Sequence, residues 1–182
     1  MKRFEIHQFA QKKWLVIVAI IVSVALPACI NENVVNDEEP WSLAEGDKCP
    51  DFQVTMNDGR VVTTSSLKKT TSMIVFFNTT CSDCRAELPV IQLVSDTLKA
   101  QNAPVEILCI SRSQPDESVA SYWAENHLTL PYSAQETNDV YRLFATSTIP
   151  RIYIIGPDLK ITATFADSPL PTAQQLLKAV AQ

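Results

Sequence analysis

A chain of 182 residues with 46% hydrophobic residues and only three glycines has the length for one domain plus a leader, and its composition excludes a disordered or collagen-like protein. The net charge of −5 argues against nucleic acid as a partner, because phosphate binding draws on clustered Lys and Arg. Residues 1–28 hold Lys2, Arg3, Lys12 and Lys13 against one acid, Glu5. The remainder carries 11 basic against 19 acidic residues, a formal charge of −8. A basic leader on an acidic body has the form of a targeting segment.

In chain order, Lys12 and Lys13 precede an apolar stretch from Trp14 to Leu26, interrupted only by Ser23. Its 13 residues suit the apolar segment of a signal peptide and are short for a spanning helix of about 20. The stretch closes on Leu26-Pro27-Ala28-Cys29, which resembles the lipobox of bacterial lipoproteins, with Pro27 as a departure. The resemblance implies cleavage after residue 28 and lipid attachment at Cys29. Cleavage nearby without acylation and an uncleaved single-pass anchor are the competing readings, and all three export residues 41–182. Several acyl chains on Cys29 would anchor the protein stably, where one chain alone binds only marginally. Residues 29–40 are polar and acidic, as a tether should be. Within them, Asp37-Glu38-Glu39 admits a second reading as a sorting signal beside the simpler one of a solvated linker.

From Trp41 onward strands and helices alternate. Residues 51–54 and 60–63 flank Met56-Asn57-Asp58-Gly59, where Asp-Gly favours a tight hairpin turn. Residues 72–78 form a buried strand without polar interruption at its centre. Residues 84–100 carry Leu88, Ile91, Leu93 or Val94, and Leu98 at helical spacing, with Pro89 either kinking the helix or absorbed near its start. A strand is expected over 105–111, a helix over 116–126, a short strand over 128–132 and a helix over 137–144. A hairpin over 151–155 and 160–165 and a helix over 171–180 close the chain. This order predicts an α/β protein with a mixed central sheet and helices on both faces.

Five cysteines are present. With Cys29 assigned to the lipobox, Cys49, Cys81, Cys84 and Cys109 remain, in an exported setting where a Cys-x-x-Cys pair is more often redox-active than metal-binding. Cys81-Ser82-Asp83-Cys84 falls between a buried strand and a helix. Unpaired backbone N–H groups and the helix dipole there favour a negative charge. The thiolate is the species that attacks a disulfide, so Cys81 is the expected nucleophile. Cys84, one helical turn on and deeper, would resolve the mixed disulfide.

The segment from Phe76 to Pro89, with Cys81, Cys84 and the tail Arg85-Ala86-Glu87-Leu88-Pro89, resembles the active-site segment of the thioredoxin superfamily, and within it the TlpA/ResA group of membrane-anchored extracytoplasmic thioredoxins. Gly46-Asp47-Lys48-Cys49-Pro50-Asp51-Phe52 and the Asp58-Gly59 hairpin resemble that group's N-terminal extension, and Ser147-Thr148-Ile149-Pro150 resembles its cis-proline segment. The resemblance covers roughly residues 44–182. It implies a thioredoxin-like three-layer α/β/α sandwich with a mixed sheet and an N-terminal β-hairpin extension, occupying 41–182. It implies a cis Ile149–Pro150 bond, which would present the Ile149 backbone to a substrate beside Thr80, the residue standing where a Trp commonly precedes the first Cys. Glu87 matches an acid that the group carries beside its cysteines, a candidate for proton transfer with Cys84; an exposed helix carboxylate is the competing reading. Val75 stands where thioredoxins often bury an acid. Asp83 opposes a thiolate by like-charge repulsion, from which a relatively reducing pair is expected.

The remaining candidates have plainer readings. Cys109 is expected as a small core residue, and Cys49 as buried, free or paired with Cys109. A four-cysteine zinc site would need a second Cys-x-x-Cys. His127 is expected at the surface, and Tyr122 and Trp123 on a packed helix face. Arg85 and Arg151 either flank the cysteines or are solvated. The leading function is reduction of disulfides on exported protein clients such as apocytochromes, through the dithiol and without cofactor or metal. A membrane-bound thiol electron donor would restore the dithiol, and the lipid anchor would hold the protein at the cell envelope, facing the periplasm or the cell surface. Two alternatives stand beside it. A peroxiredoxin would need Thr where Asn78 lies, three residues before the cysteine. A copper-delivery protein would use wider cysteine spacing and a distant His.

Overall fold

The computed structural model describes residues 41–182. The expected signal peptide, the tether and Cys29 lie outside the described residues. Among those described, no helix is long and apolar enough to cross a membrane.

The central strand sets the architecture. β-Branched and aromatic residues make up five of the seven positions in Thr71–Phe77, and six of the seven residues are buried, which requires layers on both faces of the sheet. With Gln53–Thr55 as β1 and Val61–Thr63 as β2, this strand is β3. The chain then forms α1 (Ser82–Ala100), β4 (Val105–Ser111), α2 (Asp116–Glu125), β5 (Tyr132–Ser133), α3 (Asp139–Arg142), β6 (Arg151–Ile155), β7 (Ile161–Phe165) and α4 (Ala173–Val180). The main sheet has the order β5-β4-β3-β6-β7. β4 runs parallel to β3 with Cys109 opposite Val75, and β6 runs antiparallel with Ile152 opposite the same residue. The sheet is therefore mixed, as expected.

Alternation along β3 divides the core. Met73, Val75 and Phe77 pack with Leu88, Ile91 and Val94 of α1, Val119 and Trp123 of α2, and Leu176 of α4. Ile74 and Phe76 face the other way, onto Val54 and Val62 of the β1–β2 hairpin and onto Tyr141 and Phe144. This second layer departs from the expectation. The helix foreseen over 137–144 is one turn, Asp139–Arg142, and the hairpin covers much of the sheet that a longer helix would have covered. The strand foreseen over 128–132 is also displaced, to the two residues Tyr132–Ser133. Leu130 is buried there as a loop residue, and its carbonyl accepts the Trp123 indole N–H at 2.9 Å. The β1–β2 hairpin turns at Gly59, whose φ of 84° lies in the region glycine enters without steric cost.

Candidate active site

The dithiol sits at the start of α1. Its buried residues Cys84, Leu88, Ile91, Val94 and Leu98 recur at three- and four-residue spacing and seat the helix against β3. Each fully buried aliphatic side chain of this kind contributes roughly 1.5–3 kcal/mol. Pro89 is absorbed within the helix, leaving the Arg85 carbonyl without its intrahelical donor. The helix begins at Ser82, two residues earlier than apolar spacing indicates, because Cys81 serves as its N-cap: the thiol sulfur accepts the Cys84 N–H at 3.4 Å. Cysteine is not among the usual capping residues, so this start has no compositional signature.

Cys81 is half-buried and Cys84 wholly buried, and both are thiols here, as are Cys49 and Cys109. The Cys81 thiol donates toward the Ile149 carbonyl at 3.5 Å, and the Ile149–Pro150 bond is cis. Burial above all pushes the Cys84 thiol well beyond the ordinary thiol range, with Cys81 and Asp83 adding to the effect. Glu87 lies one turn past Cys84 and is only 1% exposed, so its reading as an exposed helix carboxylate is set aside. Its Oε1 has no hydrogen-bond partner, and burial raises its carboxyl to about 7. The structure thus brings Cys81, Cys84, Glu87, Ile149 and Pro150 to one end of the sheet.

Thr80 joins them through Asn78, whose side-chain oxygen accepts both the Thr80 N–H at 2.9 Å and the Thr80 hydroxyl at 2.7 Å. Asn78 fixes the loop in two further ways. Its Nδ2 donates to the Arg112 carbonyl at 3.0 Å, and its own carbonyl accepts the Cys81 N–H at 3.1 Å. Beneath, the buried Gln114 amide clasps Thr79: the Oε1 accepts the Thr79 N–H at 3.0 Å, and the Nε2 donates to the Thr79 hydroxyl. The cis-proline loop hangs from Tyr141, whose hydroxyl donates to the carbonyls of Ser147 and, at 2.8 Å, Thr148. The sequence alone does not mark Asn78, Gln114 and Tyr141 as positioning residues. An Asn two residues before a Thr just after a strand is an Asx-turn signal that would have found the first. The other two act across gaps in the chain that no local pattern spans.

Cys49 and Cys109 take no part. Cys109 points to the α1 side of the sheet and Cys49 packs on the opposite side, so no disulfide or four-cysteine metal site unites them. Burial raises the Cys49 thiol to about 12 and that of Cys109 further. His127 is exposed, beyond the end of α2. The Arg85 guanidinium lies over the Tyr122 ring at 5.8 Å, and Arg151 donates to the Ser147 carbonyl at 3.4 Å.

Residues 45–164 match the AhpC/TSA family. The chain is 28% identical over 148 residues to the thiol-disulfide oxidoreductase ResA of Oceanobacillus iheyensis, covering 79% of this chain and 75% of that protein. Among solved structures, a putative protein disulfide isomerase from Bacteroides thetaiotaomicron superposes with a TM-score of 0.66 at 27% identity, over 78% of this chain and 96% of the other. StoA from Bacillus subtilis superposes with a TM-score of 0.60 at 20% identity, over 71% and 96%, a likeness of fold.

Proposed function

The chain belongs to the AhpC/TSA family and is a thiol–disulfide oxidoreductase, and from that premise we propose that it reduces disulfides of exported proteins with Cys81 and Cys84 as its redox pair. The observation that carries this reading is the arrangement of the two thiols: Cys81 at the helix N-cap beside the Ile149 carbonyl, and Cys84 buried behind it.

The Cys81 thiolate attacks one sulfur of the client disulfide, forming a Cys81–client mixed disulfide and releasing the other client sulfur as a thiolate. Burial keeps Cys84 protonated, so it needs a base before it can act. Glu87, held near neutrality on the same helix face, takes that proton. The Cys84 thiolate then attacks the Cys81 sulfur, the second client sulfur leaves, and two electrons have passed to the client. The resulting Cys81–Cys84 disulfide is returned to the dithiol by a membrane thiol donor. Ile149 and Thr80 flank the reacting sulfur and supply backbone groups for an extended client segment, which is how strand-like peptides are recognised. Lipid attachment at Cys29 would keep the enzyme close to its donor.

In a peroxide-reducing reading Asn78 occupies the position a Thr would need, and its side-chain oxygen is already committed to Thr80. Insulin reduction tests the proposal. Wild type should turn over with a dithiol donor while Cys81→Ser is inert; turnover that survives Cys81→Ser would overturn the mechanism.

A further inference from the structure

Two arginines at the dithiol end of the sheet have no assigned role. Arg112 directly follows β4; its N–H donates to the Phe77 carbonyl at 2.8 Å, and its guanidinium lies over the Tyr141 ring at 4.9 Å. Arg151 opens β6 immediately after Pro150, with Phe76 as its register partner on β3. The Ser147 carbonyl that accepts from Arg151 also accepts the Tyr141 hydroxyl, so both arginines converge on one aromatic residue. Burial raises the Tyr141 hydroxyl, and the two guanidinium charges each pull it back.

Neither arginine has a counter-charge. The ion pairs among the described residues both belong to Arg60, with Asp58 and Glu106. The Arg151 Nε is buried without a hydrogen-bond partner, although its neighbouring nitrogen reaches the Ser147 carbonyl. Two partly buried guanidiniums gathered around one tyrosine without an ion-pair partner have lost solvation, a cost that an arriving anion would relieve. This occurs on a chain whose overall charge is negative. Arginine's planar fork suits a carboxylate in particular.

Their place in the chain bears on which carboxylate. Arg151 is two residues from Ile149, whose carbonyl contacts the Cys81 sulfur, so its backbone lies within about 7 Å of that contact residue. We propose that Arg112 and Arg151 form an anion-binding subsite that takes the side-chain carboxylate of an Asp or Glu close in sequence to the reactive cysteine of the client. This rests on the reading of the protein as a disulfide reductase acting through Cys81. The subsite makes the enzyme selective for acidic segments despite its own acidity.

The test uses two synthetic peptides, each closed by one disulfide and differing only in Glu or Gln at the residues flanking the cysteines. Rates are normalised to reduction of each peptide by dithiothreitol, which removes intrinsic differences in disulfide reactivity. Wild type should reduce the Glu peptide with a kcat/KM about tenfold higher, chiefly through KM, and added salt should erode the preference. The Arg112→Gln/Arg151→Gln double variant should lose the preference, and the corresponding Lys variants should keep part of it. Equal wild-type rates on the two peptides would overturn the subsite and leave the reductase reading standing, and this comparison needs no variant to fold. A preference that persists in the double Gln variant would also overturn it. Reduction of neither peptide would overturn the reductase reading and the subsite with it.

Discussion

Glu87 shows what burial does to one side chain and how the consequence can be measured. The unfolded chain holds this carboxyl near 4.5, and the folded core raises it to about 7. The folded state therefore binds the proton more tightly, so the group's contribution to stability is fully present below about pH 4.5 and is lost as pH rises through about 7. At about 1.4 kcal/mol per pH unit, the loss amounts to about 3 kcal/mol. Glu87→Gln should leave stability nearly unchanged at pH 4.5 and raise it by up to about 3 kcal/mol at pH 8, as read by urea unfolding at the two pH values. A difference that does not grow with pH would remove the buried, titrating carboxyl from the account. The same variant should accumulate mixed disulfide in rapid-quench turnover, because Cys84 loses its base. Glu87 was legible as a candidate from its place in the Arg85-Ala86-Glu87-Leu88-Pro89 segment. Its burial was not legible, since a charged residue three positions after Cys84 fits an exposed helix face equally well.

At the scale of elements, the parts read most faithfully were those with strong local periodicity. The apolar run of β3, the strand β4, the helix α1 and the closing β6–β7 hairpin all fall within two residues of where the pattern places them. The short elements did not. β5 spans only two residues and α3 a single turn, and both are held by tertiary partners: Tyr132 lies in register with Cys109 of β4, while Tyr141 packs on Phe76. Elements that owe their form to distant contacts leave no period in the sequence. The loop before α1 belongs to the same class. Gln114 reaches 35 positions back to clasp Thr79, and nothing local announces it. Gln114→Ala should leave the buried Thr79 N–H unpaired, lower stability by about 1–3 kcal/mol and reduce turnover, measured by calorimetry and insulin reduction on the same preparation. Unchanged stability would show that the clasp is not needed to hold the loop.

For the molecule as a whole, the mixed sheet agrees with the thioredoxin-like neighbours, the expected N-terminal hairpin is present, and the two-sided burial of β3 foretold the layers. What the linear pattern could not foretell was the assembly of the dithiol end from four separate segments: the loop at Asn78–Cys81, the start of α1, Arg112–Gln114 after β4, and Ile149–Pro150 before β6. The proposed attachment at Cys29 acts at this scale too. Cys29→Ser should move the protein from the membrane to the soluble fraction on cell fractionation while leaving insulin reduction by the purified protein intact; membrane retention would favour an uncleaved anchor.

The proposed reduction depends on Cys81 as the sulfur that meets the client. Cys84→Ser incubated with a disulfide-bonded peptide, acid-quenched and mapped by mass spectrometry, interrogates that claim directly. The expected result is a single peptide adduct on Cys81, with Cys49 and Cys109 unmodified in the core. An adduct on Cys49 or Cys109, or no adduct on Cys81 while the peptide is still reduced, would contradict it.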